Sequence, residues 1–197
     1  MIIGADKGAD SIRSLGLVPN IAVGDFDSLR AGSLDWLKNN NVVVREFPAN
    51  KDKTDTELAL EEAINFGVSE ITLTGTWGGR PDHALANVFL LRAAKRLAVT
   101  CGIREEAGDI HLVDDRLAVD GVPGDIVSLL ALEDCAGVAL DGFKYKVPSG
   151  GLVTGSTLGI SNILLGKQGT IELQSGLLLV VFSRDIHGWS IVGKGVS

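Results

Sequence analysis

The sequence predicts an α/β domain with a mostly parallel sheet over residues 1–100, followed by an all-β sandwich domain over residues 101–197. In the first half, short apolar runs alternate with segments of helical periodicity, which is typical of parallel strands joined by helical crossovers. After residue 100 this periodicity disappears, and the glycine count rises from 9 in residues 1–100 to 16 in residues 101–197. Short β-rich runs separated by turn residues favour a sandwich or barrel.

Each element of the first half follows from a local pattern. The apolar runs predict four strands, over 2–5, 21–24, 42–46 and 70–74. The segments between and after them predict four helices, over 8–15, 30–39, 54–66 and 82–97. The third helix has the clearest signals, because Thr54 or Asp55 can cap its start and Gly67 can end it in a left-handed conformation.

The second half contains six short runs with strand character. They are DIHLVDD (109–115), DIVSLLAL (125–132), GVALDGF (137–143), GTIELQS (169–175), GLLLVVFS (176–183) and GWSIVG (188–193). No low-complexity linker separates the two halves, so we expect them to pack together. The tail from residue 184 to residue 197 has no role that its sequence indicates.

Composition narrows the classes of function. A net charge of −7 argues against a nucleic-acid groove, because phosphate backbones are held mainly by Lys and Arg. No apolar run is long enough to cross a bilayer, and the first residues show no signal peptide. The two cysteines, Cys101 and Cys135, form no metal-binding or disulfide pattern, which favours a reducing, cytoplasmic location.

Four loops that follow the predicted strands each carry an acid. They contain Asp6, the pair Asp25 and Asp27, the run PANKDKTD with Asp55, and the run GTWGGRPDH with Asp82. Ligands of parallel α/β sheets bind where the strands end. We therefore expect the four loops to meet at one edge of one sheet.

Asp25 and Asp27 flank Phe26 directly after an apolar strand. In extended backbone both carboxylates would point to one side and the phenylalanine to the other. This pair suits Mg²⁺, which takes one or two carboxylates together with water and substrate phosphates. The alternative is that both acids cap a helix that begins near residues 28–30. The acids on the neighbouring loops favour the metal site.

The other two loops add cations and their own alternatives. Capping and metal ligation are equally consistent with Asp55, whereas Lys51 and Lys53 could face phosphates. In GGRPDH, Arg80 offers a planar fork for phosphate oxygens, and the glycines allow close approach of the backbone. The alternative is a glycine turn with a capping aspartate and a structural His83. An arginine beside two glycines favours a site.

Taken in order, these motifs resemble the thiamine pyrophosphokinase family over nearly the whole chain. The matching runs are DKGA (6–9), GDFDS (24–28), KDKTD (51–55), GGRPDH followed by Asn87 (78–87), and LDGFKYKVPSGGLVTGSTLGISN (140–162). The resemblance implies a homodimer that transfers the terminal diphosphate of ATP to the hydroxyethyl group of thiamine, yielding thiamine diphosphate and AMP. It also implies that an α/β catalytic domain precedes a thiamine-binding and dimerisation domain.

The resemblance implies a role for each matching residue. Mg²⁺ would be held by Asp25, Asp27 and Asp55, which with Arg80 and Asp82 form the expected catalytic set. The expected nucleotide-binding residues are Asp6, Ser28, Lys51, Lys53, Thr54, Arg80 and His83. Thiamine would contact Ser156, Ser161 and Asn162, facing the α/β domain of the other subunit. Asp82, Asp55 and Asp27 all remain candidates to accept the hydroxyl proton.

Two other functions fit part of the pattern. A magnesium-dependent pyrophosphokinase acting on a hydroxymethyl-pterin would use a similar acidic α/β domain. A non-catalytic sensor of nucleotide or thiamine would keep the pocket and lose transfer. The segment with Ser161 and Asn162 favours thiamine over the pterin, and the full set of acids favours catalysis over sensing.

Overall fold

The computed structural model describes residues 1–77 and 80–183. The chain divides into two compact units, the first comprising Met1–Ile71 and Gly75–Thr100, the second Thr72–Thr74 and Cys101–Ser197. The predicted strand over 188–193 and the tail 184–197 lie outside the described residues, as do Gly78 and Gly79. No helix in the described part of the chain is both long and apolar enough to traverse a bilayer.

The first half of the chain alternates strands and helices as predicted. Its elements are β1 (Ile3–Ala5), α1 (Gly8–Ser14), β2 (Ile21–Gly24), α2 (Ser33–Asn39), β3 (Val43–Glu46), α3 (Asp55–Asn65), β4 (Glu70–Leu73) and α4 (Pro81–Arg96). Three of the strands form a parallel sheet in the order β1-β2-β3, with Ile21 of β2 opposite Ile3 and Val43. The central strand β2 is buried along its whole length. This confirms an α/β region with a parallel sheet.

The sequence predicts α3 close to its observed bounds and α2 only in part. The Thr54 hydroxyl accepts a hydrogen bond from the Glu57 amide at 3.2 Å, which caps α3, and Gly67 ends it with a φ of 76°. The predicted helix over 30–39 begins only at Ser33, after Gly32 at a φ of 79°. Residues 25–32 form an irregular segment between β2 and α2 that we call the acidic loop.

The placement of β4 in the parallel sheet was wrong. The strand forms where predicted, but it lies next to β5 in a six-stranded sheet and not beside β1, β2 or β3. Along β4, exposed and half-buried residues alternate, whereas every residue of β2 is buried. An alternating strand suits a sheet with one solvated face, and a fully buried strand suits a parallel sheet covered on both faces.

The second half of the chain is β-rich. Its strands are β5 (Thr100–Glu105), β6 (Gly108–Val113), β7 (Arg116–Asp120), β8 (Ile126–Ala136), β9 (Ala139–Asp141), β10 (Asn162–Ile163), β11 (Gln168–Glu172) and β12 (Ser175–Ser183). They form a six-stranded sheet, β10-β8-β12-β6-β5-β4, and a three-stranded sheet, β7-β11-β9. Both sheets contribute to one buried apolar cluster, with Val127 and Leu178 from the first and Val119 and Ile171 from the second.

Candidate functional site

An acidic cluster lies where β1 and β2 end. Carboxylate oxygens of Asp6, Asp25 and Asp27 lie within 4.8 Å of one another. Asp6 directly follows β1, and its amide donates to the carbonyl of Val23 in β2 at 2.8 Å. Two of the predicted loops therefore converge at one edge of the parallel sheet.

The backbone of the acidic loop differs from the extended form that the sequence predicted. Phe26 has a φ of 60°, a left-handed conformation that the residues of an extended strand do not adopt. The Asp27 amide donates to Oδ1 of Asp25 at 3.3 Å, and the Phe26 ring packs against the apolar cluster that contains Ala22 and Leu37. The two carboxylates still converge, although the backbone between them is left-handed rather than extended.

The structure removes the capping alternative for these two acids. The N-cap of α2 is Gly32, and no side chain caps it. Asp25 and Asp27 lie seven and five positions before that cap in the sequence. In α3, Thr54 is the cap, so Asp55 is not needed for that role.

Lys51 connects Asp55 to the acidic cluster. Its Nζ lies 2.9 Å from Oδ1 of Asp55 and 3.4 Å from Oδ2 of Asp25. The hydrogen bond to Asp55 holds the pKa of Lys51 above its usual value. The amide of Asp27, and then Lys51, hold the pKa of Asp25 below its usual value. The negative charge of Asp25, followed by those of Asp6 and Asp55, raises the pKa of Asp27.

These residues suit a divalent cation with a preference for oxygen. Oδ1 of Asp6 is buried and has no hydrogen-bond partner within the described ranges, whereas Oδ2 accepts a hydrogen bond from the Ser28 hydroxyl. A buried carboxylate oxygen without a partner is costly, and a cation would compensate it. Gly24 leaves the space open, because a Cβ there would lie 3.3 Å from Asp6 and 3.4 Å from Oδ1 of Asp55. An all-carboxylate donor set fits Mg²⁺.

The predicted cations of the third loop separate in the structure. Lys51 has a side chain that is only 14% exposed and faces the acids, whereas Lys53 pairs with Glu61 at 2.6 Å. The Ser28 hydroxyl donates a hydrogen bond to Asp6. The Thr54 hydroxyl accepts a hydrogen bond from the Glu57 amide and so caps α3.

The fourth loop follows a strand of the six-stranded sheet. It follows β4, which is not a strand of the parallel sheet, so the expectation that all four loops meet at one edge of one sheet was wrong. Nη2 of Arg80 lies 2.5 Å from Oδ2 of Asp82, and both side chains are more than 60% exposed. The hydrogen bond from Arg80 lowers the pKa of Asp82, which makes this carboxylate a weaker proton acceptor. His83 follows Asp82 in the first turn of α4, and the buried Asn87 donates to the carbonyl of Thr76 at 3.1 Å.

The predicted thiamine segment has a defined polar framework in the second unit. Ser161 adopts a φ of 59°, and its amide donates to the Ser128 hydroxyl at 3.0 Å. The buried amide of Asn162 accepts from the Tyr145 amide at 3.0 Å and donates to the Tyr145 carbonyl at 2.9 Å. The Ser156 hydroxyl accepts from the Leu158 amide at 3.2 Å. Asn162 therefore orients the backbone that carries the Tyr145 ring, which is 53% exposed.

A small cavity adjoins this segment. It measures about 50 Å³ and is lined by residues that include Tyr145, Leu158, Ile160 and Asn162. Sites for small molecules usually measure about 300–1,000 Å³. The cavity beside Asn162 is therefore too small to enclose a ligand of vitamin size.

One acid near the site was not singled out from the sequence. Asp10, in the first turn of α1, is only 9% exposed. Its Oδ2 accepts from the Arg30 amide at 2.9 Å, and its Oδ1 accepts from the Ser33 hydroxyl. No local signal marked it, because its partners, Arg30 and Ser33, lie 20 and 23 residues later in the sequence.

The two halves of the chain match two family models in sequence order. Residues 1–101 match the thiamin pyrophosphokinase catalytic domain, and residues 111–178 match the thiamin pyrophosphokinase vitamin B1 binding domain. The chain is also 31% identical over 186 residues to the thiamine pyrophosphokinase of Bacillus subtilis (strain 168), covering 93% of this chain and 87% of that protein. Both halves of the sequence thus resemble one protein family.

Solved structures agree with this result. The crystal structure of thiamine pyrophosphokinase from Bacillus subtilis superposes with a TM-score of 0.85 at 30% identity, covering 93% of this chain and 87% of that one. Thiamin pyrophosphokinase from Geobacillus thermodenitrificans superposes with a TM-score of 0.80 at 32% identity, covering 93% and 86%. The chain belongs to the thiamine pyrophosphokinase family, a family of diphosphotransferase enzymes.

Proposed function

We propose that this protein transfers the terminal diphosphate of ATP to the hydroxyethyl group of thiamine, yielding thiamine diphosphate and AMP. The observation that carries the proposal is the acidic cluster of Asp6, Asp25 and Asp27, which lies inside the segment that matches the catalytic domain. The pterin and sensor alternatives are not favoured, because both domain models that match are those of thiamin pyrophosphokinase.

Mg²⁺ would be held by Asp25 and Asp27 of the acidic cluster together with Asp55, with Asp6 beside them. When bound there, Mg²⁺ neutralises phosphate charge and orients the triphosphate. Support comes from the unpartnered Oδ1 of Asp6 and from the raised pKa of Asp27, which the charge of Asp25 causes. Both describe an excess of negative charge that a cation would balance.

The remaining residues of the catalytic half would bind and align the nucleotide. Lys51 provides an ammonium group within ion-pair distance of Asp25 and Asp55, suitably placed to contact phosphate oxygens as well. Thr54 fixes the start of α3 and so the position of Asp55. Arg80 is exposed and offers a fork that can leave Asp82 for a phosphate. In-line transfer depends mainly on such alignment and charge neutralisation.

The second unit would supply the thiamine contacts. Ser156 and Ser161 carry hydroxyl groups for the substrate, and Asn162 fixes the segment that presents Tyr145. Because the cavity beside Asn162 is far smaller than a vitamin site, further walls are needed. We propose that they come from the α/β domain of a second subunit in a homodimer, and that the two sheets of the second unit form a sandwich. Two free thiols, Cys101 and Cys135, support a cytoplasmic location.

Product analysis tests the proposed reaction. The protein is incubated with ATP, with and without Mg²⁺, together with thiamine, with a hydroxymethyl-pterin or with neither, and the products are identified by mass spectrometry. We expect AMP and thiamine diphosphate only when thiamine and Mg²⁺ are both present. Asp25→Asn and Asp27→Asn should abolish transfer while the fold survives, whereas Asp35→Asn, an exposed acid of α2, should not reduce it. Transfer to the pterin alone, or full activity of Asp27→Asn, would refute the assignment.

A further inference from the structure

Asp10 is a buried acid that the proposed reaction does not use. Its side chain lies in α1, and both of its carboxylate oxygens have partners in the segment that leads into α2. Oδ2 accepts from the Arg30 amide at 2.9 Å, and Oδ1 accepts from the hydroxyl of Ser33, which is 2% exposed. Burial of a carboxylate is costly unless hydrogen bonds compensate it. The two hydrogen bonds therefore offset the cost of burying the Asp10 carboxylate.

The contact fastens one end of the acidic loop. Asp6 binds the Ser28 hydroxyl in the middle of the loop, and Asp10 binds the Arg30 amide and Ser33 where the loop enters α2. Asp6 precedes α1 and Asp10 lies in its first turn, so one short segment of the chain holds the loop at both points. The first point belongs to the acidic cluster, and the second lies outside it.

The rest of the loop transmits this restraint to the catalytic acids. Phe26 and Leu29 pack against the apolar cluster that contains Ala9 and Leu37, which keeps the loop close to α1 and α2. The Leu29 amide donates to the Phe26 carbonyl at 3.4 Å. Only a few residues separate these contacts from the two metal-binding aspartates, so a shift at the Asp10 end would displace their carboxylates.

We propose that Asp10 is a positioning residue, which sets the placement of Asp25 and Asp27 by holding the Arg30 amide and the Ser33 hydroxyl. The inference depends on the proposed function only for its catalytic readout, because metal binding can be measured without substrates. Burial would raise the pKa of Asp10, but hydrogen bonds from Ser33 and Arg30 and the charges of Arg30 and Arg13 hold it below its usual value. The carboxylate is therefore charged at neutral pH and binds its donors strongly.

The alternative is that Asp10 only stabilises the fold. Gly32 provides no side-chain cap for α2, and a carboxylate near the first turn of a helix adds stability without any effect on catalysis. The structural role and the positioning role predict different effects on metal affinity and kcat. A purely structural residue lowers the stability of its variants but leaves the metal affinity and the kcat of the folded molecules intact.

The experiment compares three variants with one control in the full-length protein. Asp10→Ala removes both acceptors, Asp10→Asn keeps one acceptor oxygen, and Ser33→Ala removes one donor and keeps the Arg30 contact. The control is Asp35→Asn, which neutralises an exposed acid in the first turn of α2. For each protein, the measurements are Mn²⁺ affinity without substrates, kcat, the KM for thiamine, and thermal unfolding.

We expect Asp10→Ala to weaken Mn²⁺ binding about 10-fold, the lower end of the loss that follows removal of residues that orient metal ligands. Its kcat should fall about 10–100-fold, with the KM for thiamine changed by no more than about twofold. Asp10→Asn and Ser33→Ala should show smaller losses of the same kind, and Asp35→Asn should match the wild type. These two milder variants carry the test if Asp10→Ala does not fold.

Unchanged Mn²⁺ affinity and kcat in folded Asp10→Asn and Ser33→Ala, with only reduced thermal stability, would overturn the proposal. Wild-type protein that binds Mn²⁺ but forms no thiamine diphosphate would refute the proposed function instead. In that case the Mn²⁺ affinities alone still decide whether Asp10 positions the acids.

Discussion

Replacement of Lys51 by Met tests the charge balance of the acidic cluster. The substitution keeps an unbranched side chain of similar length but removes the ammonium group that lies 2.9 Å from Asp55 and 3.4 Å from Asp25. Without a metal ion, the acids would then face one another with no internal cation. We expect the variant to be less stable than the wild type without a metal ion and to depend more strongly on Mg²⁺.

The distance between Lys51 and Asp55 sets the scale of the effect. At 2.9 Å and an effective dielectric constant of about 20, Coulomb's law gives an attraction of about 6 kcal/mol. Solvent access and the cost of ordering the two side chains reduce the net contribution to about 1–2 kcal/mol. The melting temperature without metal should therefore fall by about 2–8 °C. The same free energy corresponds to about 5–30-fold tighter binding of Mn²⁺, which no longer competes with the ammonium group.

Lys53 provides a matched control, because it lies two residues away and pairs with Glu61 at 2.6 Å. The assay is thermal unfolding of wild type, Lys51→Met and Lys53→Met with and without Mg²⁺, together with Mn²⁺ titration. Mg²⁺ should narrow the stability deficit of Lys51→Met, because a ligand that binds the native state more tightly stabilises it more. Equal responses of the two variants to metal would refute the claim that Lys51 neutralises the cluster.

Two further substitutions test the backbone and the second unit. Gly24→Ala should lower the free energy of unfolding by about 1–3 kcal/mol, because its φ of 154° disfavours a side chain, whereas Gly8→Ala, where a Cβ meets nothing within 4 Å, should not destabilise the protein. Chemical denaturation measures both, and equal stabilities would contradict the reasoning. Asn162→Ala should raise the KM for thiamine at least about 10-fold by releasing Tyr145, with the KM for ATP unchanged. Gln168→Ala, which loses an exposed hydrogen bond in the same unit, is the control, and an equal change in both variants would exclude a role for Asn162 in thiamine binding.

Local sequence patterns were sufficient for the elements whose causes are local. The strand over 21–24 was predicted at its observed bounds because a buried strand is a continuous apolar run. The cap at Thr54 and the stop at Gly67 were visible because each acts on residues within one turn. The late start of α2 at Ser33 was not visible, because contacts from Asp10, more than twenty residues earlier, hold the loop before it.

The sequence of β4 predicted a strand but did not predict which sheet the strand joins. The run at residues 70–74 has strand propensity, but its pairing with β5 depends on which edge is available after folding. The wrong sheet assignment of β4 also affected the candidate site. It led to the expectation that the loop with Arg80 lies at the same sheet edge as Asp25. Strand propensity describes a fit to a pleated surface and carries no information on the partner.

Backbone strain distinguishes helix ends from candidate sites. Among residues 1–77 and 80–183, five non-glycine residues have a left-handed φ, namely Asp6, Phe26, Asn41, Ala98 and Ser161. Asn41 and Ala98 each lie two residues after the end of a helix, where a left-handed residue commonly closes the last turn. Helix termination explains the left-handed φ of Asn41 and Ala98, and the other three residues need another cause.

The other three, Asp6, Phe26 and Ser161, all lie in motifs that the sequence associates with ligands. A non-glycine residue in this conformation costs about 1–3 kcal/mol, and a glycine would avoid the cost. Glycine would also remove the groups that these positions present: a carboxylate at Asp6, an apolar anchor between two carboxylates at Phe26, and a hydroxyl at Ser161. Strain at these three positions is therefore consistent with selection for the direction of the side chain over stability. The same argument applies in both units, and it supports the proposed roles of the acidic cluster and of the Ser161 segment.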